Sequence, residues 1–378
     1  MSPPGIAILG AGIFAKETHI PALATLGEGA AELKAVYSRS EKSAKEVAQE
    51  AQELLKTTTP PAVYHDGDQN VNLDALLARS DITAVIVVLP ITLQPSIILK
   101  VLAAGKHVLS EKPVAPDVAG GLKLIAEYNS VYKPKGLVWR VAENYEVEPA
   151  HLAAGKVLKS GKIGKINSYN VRVVNYVGKD SKWYNTPWRT IPDYQGGFLL
   201  DGGVHTAAIL RVILPSPIVS LSGYASLNQE HLAPHDVINA TTRNADGSHG
   251  LVELHFGAPV PSRSTLAGNG ISVTGSDGWV FLDMVKGKDA NGKVYPAVRI
   301  TTRTVTRDDK GLPTGEKEEV IEERSQGVEV ELKSFFAAIA GNNDGFGDPF
   351  EALKDVAFIQ AGLNSNGSPV DLVKLVQQ

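Results

Sequence analysis

The stretch Gly5-Ile6-Ala7-Ile8-Leu9-Gly10-Ala11-Gly12-Ile13-Phe14-Ala15 decides how the chain is to be read. Five residues without a charge form a short apolar run, and a G-x-G-x-x-A turn follows at once. Such a run reads as a strand buried on both faces of a parallel sheet. In the turn, the first glycine permits a sharp bend and the second lets a pyrophosphate approach the backbone. The small Ala15 lets the following helix close on the strand. Helical spacing then runs from about Phe14 to Leu26, and the N-terminus of that helix offers N–H donors and partial positive charge. The order strand, glycine turn, helix and second strand is what separates a dinucleotide site from a glycine-rich turn in any α/β domain.

The pattern continues outward. Leu33–Tyr37 reads as a second strand and 41–56 as a charged helix. Thr83–Leu89 is a third fully apolar strand, 94–104 a helix and His107–Leu109 another strand. Residues 122–128 read as helix and 136–141 as a last strand. Alternating β and α elements imply an α/β, doubly wound parallel Rossmann sheet over residues 1–145. After Tyr145 the rhythm changes. A short helix is expected over 155–164, then alternating strands at 166–174, 218–227, 236–243, 250–256, 270–274 and 278–283. A hairpin at 298–306 and 318–322 and helices at 328–339 and 349–363 complete the chain. Residues 146–378 therefore read as an α+β domain with a large, mostly antiparallel open sheet. The C-terminal helices are expected to be free to return to the first domain.

Composition narrows the chemistry. The 378 residues suit two domains. There is no cysteine, which removes disulfides, thiolate nucleophiles and cysteine-ligated metals. The 37 basic and 41 acidic side chains leave a net charge of −4, and neither half is basic, so no phosphate-backbone footprint for nucleic acid is present. No secretory signal or membrane span is legible, and a cytoplasmic address is expected. His231 and His235 stand in an H-x-x-x-H spacing, but Pro234 between them argues for a loop and further ligands are missing, so no metal is expected.

The end of the second strand reads Tyr37-Ser38-Arg39-Ser40. An NAD-preferring site usually carries a carboxylate there for the ribose 2′-hydroxyl. Arg39 can instead bond a 2′-phosphate with its fork of donors, assisted by Ser38 and Ser40. NADP(H) is therefore the expected cofactor, with a solvated surface arginine as the plain alternative. Two further segments carry candidate chemistry. Glu111-Lys112-Pro113 follows the His107–Leu109 strand, at the carboxyl end where such sheets bind ligands. A lysine there can polarise a carbonyl or donate a proton. Gly196-Gly197-Phe198-Leu199-Leu200-Asp201-Gly202-Gly203-Val204-His205 places Asp201 and His205 four apart, on one side of a helix start. Histidine suits proton transfer near neutral pH. Trp183, Tyr184, Trp188, Tyr194 and Phe198 crowd the region just upstream, where they can face a substrate or simply pack.

Taken together and in this order, these motifs resemble the glucose–fructose oxidoreductase, inositol dehydrogenase and rhizopine catabolism protein family (Gfo/Idh/MocA). The resemblance covers nearly the whole chain. Its most specific stretch is Ala103-Ala104-Gly105-Lys106-His107-Val108-Leu109-Ser110-Glu111-Lys112-Pro113, and Trp188-Arg189 is also family-like. It implies hydride transfer between a nicotinamide and the hydroxyl or carbonyl carbon of a sugar, polyol or small aldehyde or ketone. Lys112 would polarise the reacting oxygen, His205 would be the general acid/base, and Asp201 would orient the substrate or His205. Cofactor contacts are implied at Gly10, Gly12, Ile13, Phe14, Ser38, Arg39, Ser40, Leu89, Pro90, Glu111 and Lys112. Asn144, Tyr145, Trp188 and Arg189 are implied for the substrate. A homodimer or homotetramer through the C-terminal sheet is also implied. Two departures stand out: Ala208 occupies a position where the family often has Asp, and Ile91 and Gln94 replace a polar residue and a His after the Thr83–Leu89 strand. A less polar pocket suits a simpler carbonyl compound. A non-catalytic NADP(H)-sensing protein, a cofactor-retaining sugar oxidoreductase and a dihydrodiol-type dehydrogenase are the competing readings.

Overall fold

The computed structural model describes residues 3–27 and 29–377. It divides into two compact units, the chain through Asn144 together with Gly327–Leu353, and Tyr145–Gln326 together with Lys354–Gln378.

The first unit is built on six parallel strands: β1 (Gly5–Leu9), β2 (Glu32–Tyr37), β3 (Ala62–Tyr64), β4 (Ala84–Val87), β5 (His107–Glu111) and β6 (Trp139–Ala142). Their order is β3-β2-β1-β4-β5-β6, the doubly wound arrangement with its switch point between β1 and β4. Every residue of β1 and β4 is buried, which is why both read as uninterrupted apolar runs. The Glu41–Leu55 helix turns Ala44, Val47, Ala48 and Ala51 toward the sheet at helical spacing, and Ser40 caps it by accepting from Ser43 N–H. Val328, Leu332 and Phe335 of the Gly327–Ile339 helix complete a core with Ile6, Ile8, Ile86 and Leu109. Each such side chain contributes about 1.5–3 kcal/mol on burial.

The second unit carries nine strands: β7 (Ile166–Val174), β8 (Ile218–Ser226), β9 (Val237–Asn244), β10 (His249–His255), β11 (Gly270–Gly275), β12 (Gly278–Lys288), β13 (Val294–Arg307), β14 (Pro313–Arg324) and β15 (Val370–Asp371). They run β14-β13-β12-β11-β7-β10-β9-β8-β15. All pairs are antiparallel except β7 with β10, so the sheet is mixed and mostly antiparallel, as expected. Gly250 of β10 lies under the Tyr169 ring, where a Cβ would stand 2.0 Å from a ring carbon. The Pro149–Lys159 and Phe198–Ile213 helices pack on one another in this unit.

Three local expectations shift. The helix expected at 155–164 lies at Pro149–Lys159. Gly155 is not its start but a contact point, because a Cβ there would come 2.9 Å from the Val212 carbonyl oxygen. The strand expected from residue 136 begins at Trp139, since Gly136 takes a left-handed turn (φ +79°). The helix expected at 122–128 starts at Val118, capped by Asp117, whose carboxylate accepts from Gly120 N–H at 2.7 Å.

Candidate functional site

The glycine turn sits at the carboxyl end of β1, at the switch point. Gly10 N–H donates to Tyr37 O at 2.8 Å, and Val88 N–H donates to Leu9 O at 2.7 Å, so the turn is tied to the strand ends on both sides. Gly10 has φ +119°, and a Cβ there would lie 2.0 Å from Val88 O. Its glycine is dictated by the protein itself. Gly12 differs: it is exposed, and a Cβ there meets no protein atom within 4 Å. That leaves open backbone at the position where a pyrophosphate approaches in this motif. Ala15 is fully buried against the sheet, and Ile13 and Phe14 are half-buried. These residues fit a dinucleotide.

The helix after the turn is not regular. Ala15–His19 forms a π-type turn before the α-helix Ile20–Leu26 begins. It places His19, fully buried, with Nε2 2.6 Å from the Glu111 Oε1 carboxylate oxygen at the end of β5. The sequence reading missed this pair, whose members lie 92 residues apart.

At the end of β2, Ser38 N–H donates to Tyr64 O at 3.1 Å, and Arg39 and Ser40 are exposed. No carboxylate stands on this loop, but Asp66, which follows β3, lies beside it. Asp66 N–H donates to Arg39 O at 3.4 Å, and its carboxylate accepts from Tyr37 Oη at 2.5 Å. Burial first, then this bond, hold the Tyr37 phenol above its ordinary range. Asp66 is a polar neighbour that strand-by-strand reading could not place.

At the end of β4, Leu89 and Pro90 are half-buried and Ile91 is buried. Gln94, which opens the Gln94–Ala103 helix, is 1% exposed. At the end of β5, Glu111 is buried and Lys112 half-buried, and the Lys112–Pro113 peptide is cis. Asn144 is half-buried in this first unit.

The second unit gathers the other candidates around the Phe198–Ile213 helix. Gly196 (φ +73°) and Gly197 (φ +52°) form the bend that precedes it. Gly202 and Gly203 let Phe256 and Ile359 approach, at 2.7 and 2.8 Å from the positions their Cβ atoms would take. His205 is half-buried and lies face-tilted against Tyr145, with ring centroids 4.4 Å apart. Tyr145 stacks in turn on His151 at 5.5 Å, and its carbonyl oxygen lies 2.8 Å from His151 Nδ1. Two histidines thus flank Tyr145, and sequence spacing gives no hint of His151.

Asp201 is buried and paired. Arg189 Nε donates to its Oδ2 at 2.8 Å. The Arg189 guanidinium also lies 4.0 Å from the Trp188 ring centroid and 5.5 Å from that of Trp183. Tyr194 approaches Trp188 at 6.0 Å, and burial, then the charge of Asp201, push its phenol upward. The aromatic cluster therefore resolves into a cradle for one arginine, while Tyr184 turns to His231. Farther along the helix, Arg211 donates to Glu146 at 2.8 Å and grips Asp355 with two bonds of 3.0 and 2.8 Å. Ala208 is fully buried, so the position that could carry a further carboxylate is part of the apolar packing. His231 Nε2 lies 2.8 Å from the Val177 carbonyl oxygen. Among the described residues, no group of three or more His, Asp or Glu side chains is arranged to hold a metal ion. No helix among them is long and apolar enough to cross a membrane.

The chain is similar to known proteins over nearly its whole length. A dehydrogenase of Fusarium mangiferae is 38% identical over 371 residues, covering 96% of each chain. A dTDP-3,4-didehydro-2,6-dideoxy-alpha-D-glucose 3-reductase of Streptomyces violaceoruber is 32% identical over 148 residues, 38% of this chain and 40% of its own. The crystal structure of an oxidoreductase from Thermotoga maritima superposes with a TM-score of 0.78 at 28% identity, covering 99% of both chains. The profile described as "Oxidoreductase family, NAD-binding Rossmann fold" matches residues 5–133, and that described as "Oxidoreductase family, C-terminal alpha/beta domain" matches residues 156–372. With its glycine turn, its parallel sheet and its second, mostly antiparallel sheet all in place, the chain belongs to the Gfo/Idh/MocA oxidoreductase family.

Proposed function

We propose that the chain is an NADP(H)-dependent reductase or dehydrogenase acting on the hydroxyl or carbonyl carbon of a sugar, polyol or small aldehyde or ketone. The observation that carries the NADP preference is the loop after β2: an exposed Arg39 and Ser40, with no carboxylate on the loop itself. A guanidinium there attracts a 2′-phosphate, and the Ser40 cap adds a hydroxyl and helix N–H groups nearby. The sugar-type substrate rests on the 3-reductase relative, whose name specifies a sugar.

A bound nicotinamide supplies or accepts the hydride. The chain's own residues do the rest. Gly10, Gly12, Ile13 and Phe14 hold the pyrophosphate end, while Ser38, Arg39 and Ser40 hold the 2′-phosphate. Leu89, Pro90 and Glu111 border the cofactor. Lys112 binds and polarises the reacting oxygen, and its charge favours the alkoxide character that develops there. His205 gives a proton to that oxygen during reduction and takes it during oxidation. Tyr145, tilted against the His205 ring, limits the rotation of the imidazole. Asp201, held by Arg189, orients the substrate, which Asn144, Tyr145, Trp188 and Arg189 border. The first unit serves the cofactor, and the second serves the substrate and contacts between copies of the chain in a dimer or tetramer.

The test compares NADPH with NADH on a panel of aldoses, polyols and small aldehydes. Arg39→Ala is expected to weaken NADPH binding and leave NADH binding almost unchanged. Lys112→Met and His205→Ala are expected to abolish turnover while NADPH still binds. Equal use of NADH by the unmodified protein refutes the NADP assignment, and full turnover in both substituted proteins refutes the catalytic one.

A further inference from the structure

We propose that His19 is a positioning residue for Lys112, acting through Glu111. This inference rests on the oxidoreductase reading above and deepens it.

Three observations lead there. First, the geometry is short and closed: His19 Nε2 stands 2.6 Å from Glu111 Oε1, His19 is 0% exposed and Glu111 7%. With Glu111 as a carboxylate, which can only accept, Nε2 is the donor. A hydrogen bond in so water-poor a setting is stronger than the same bond in water. Second, the bond spans the switch point. His19 follows β1 and Glu111 ends β5, and β4 lies between those two strands. Third, the local backbone is irregular at this point. The π-type turn Ala15–His19 interrupts the helix directly after the glycine turn, and its last residue is His19. An added residue of this kind re-aims the side chain that follows, and such turns are frequent at functional sites. His19 also packs edge-on against Phe14 at 5.4 Å. A chain of contacts therefore runs from the glycine turn through Phe14, His19 and Glu111 to the residue next in sequence, Lys112.

A solvated turn would leave the Lys112 backbone free to shift. The buried His19–Glu111 bond instead ties it to the element that receives the dinucleotide. The distance between Lys112 and the reacting carbon is then set by the same helix that sets the cofactor's position. Displacement of a catalytic group by about 1 Å costs on the order of 10²-fold in rate.

The experiment uses His19→Ala, His19→Gln and Glu111→Gln in the full chain. In cofactor-free protein, the rate at which trinitrobenzenesulfonate labels Lys112 is read by peptide mass spectrometry, with the exposed Lys42 and Lys133 as internal references. NADPH affinity is read by fluorescence, and kcat and KM with the best carbonyl compound of the panel. The expected result for His19→Ala is an altered Lys112 labelling rate with Lys42 and Lys133 unchanged. Its kcat should fall on the order of 10²-fold, with KM and NADPH affinity changed far less. His19→Gln should recover part of both effects, because its amide can still donate to the carboxylate, and Glu111→Gln should be milder than His19→Ala because it keeps an acceptor. Unchanged Lys112 labelling in His19→Ala overturns the proposal, as does a loss in which all three lysines become equally reactive. Failure of the unmodified protein to turn over any carbonyl compound overturns the enzymatic reading, while the labelling comparison still decides the role of His19.

Discussion

The two glycines of the first turn make opposite predictions, and together they test how the site is built. At Gly10, a Cβ would stand 2.0 Å from Val88 O and 2.9 Å from the Val88 carbonyl carbon, on a backbone with φ +119°. Both partners are main chain, so nothing flexible can yield. An alanine there must move β4 away from β1 or abandon the left-handed conformation, and strain of either kind costs about 1–3 kcal/mol. At Gly12, a Cβ meets no protein atom within 4 Å. Gly12→Ala should leave stability unchanged or raise it by about 0.4–1 kcal/mol through the unfolded state. What it should lose is binding. In the proposed cofactor site the methyl group would stand where the pyrophosphate approaches, and one lost charge-assisted hydrogen bond is worth about 1.5–3 kcal/mol. That corresponds to roughly a 10- to 150-fold rise in the NADPH dissociation constant. Urea denaturation without cofactor and NADPH fluorescence titration separate the two effects. Wild-type NADPH affinity in Gly12→Ala would falsify the assignment of this turn to the pyrophosphate. Wild-type stability in Gly10→Ala would refute the packing argument at the switch point.

Three further outcomes are expected. Arg189→Met leaves Asp201 buried without its guanidinium and should cost up to about 3 kcal/mol; Asp201→Asn should recover part of that loss in a double-mutant cycle, and additive losses in urea melts would count against the pair. Asp236 is 0% exposed and accepts from Asn228 N–H at 2.7 Å and Gln229 N–H at 2.8 Å, so Asp236→Ala should cost about 1–3 kcal/mol for each donor left unpaired, and denaturation midpoints equal to wild type would contradict it. Burial holds the His107 imidazole below its ordinary pKa, and its Nδ1 accepts from Val138 N–H at 3.0 Å. The unfolded chain then binds a proton near pH 6.5 that the folded chain does not, so this contribution is complete above about pH 6.5 and is lost as the pH falls toward the depressed value. His107→Asn should flatten the stability profile from pH 6.5 to 5 by at most about 1.4 kcal/mol per pH unit, and an unchanged slope in urea melts would count against it.

What could be read from the chain alone is what is written locally. The apolar runs Gly5–Leu9 and Thr83–Leu89 read as strands covered on both faces, which holds for Gly5–Leu9 and for Ala84–Val87 within the second, and the glycine turn between strand and helix announced the sheet they belong to. The change of rhythm after Tyr145 announced the second sheet in the same way, because a strand's alternation and a helix's spacing depend only on neighbouring residues. Boundaries failed where a residue answered to a distant partner: Gly155 stands mid-helix where Val212 O leaves no room for a Cβ, so its glycine does not mark a helix end.

The candidate site divides along the same line. The Gly10 and Gly12 turn, Lys112 and the Asp201–His205 spacing were legible as motifs. The tertiary structure alone decided what each of them touches. It joined His19 to Glu111, set Tyr145 against His205 and His151, and gave Asp201 to Arg189 within a cradle of tryptophans. Backbone preferences act over a few residues and are written in sequence order, whereas the hydrogen bonds that aim a side chain form only where folding brings distant segments within about 3 Å.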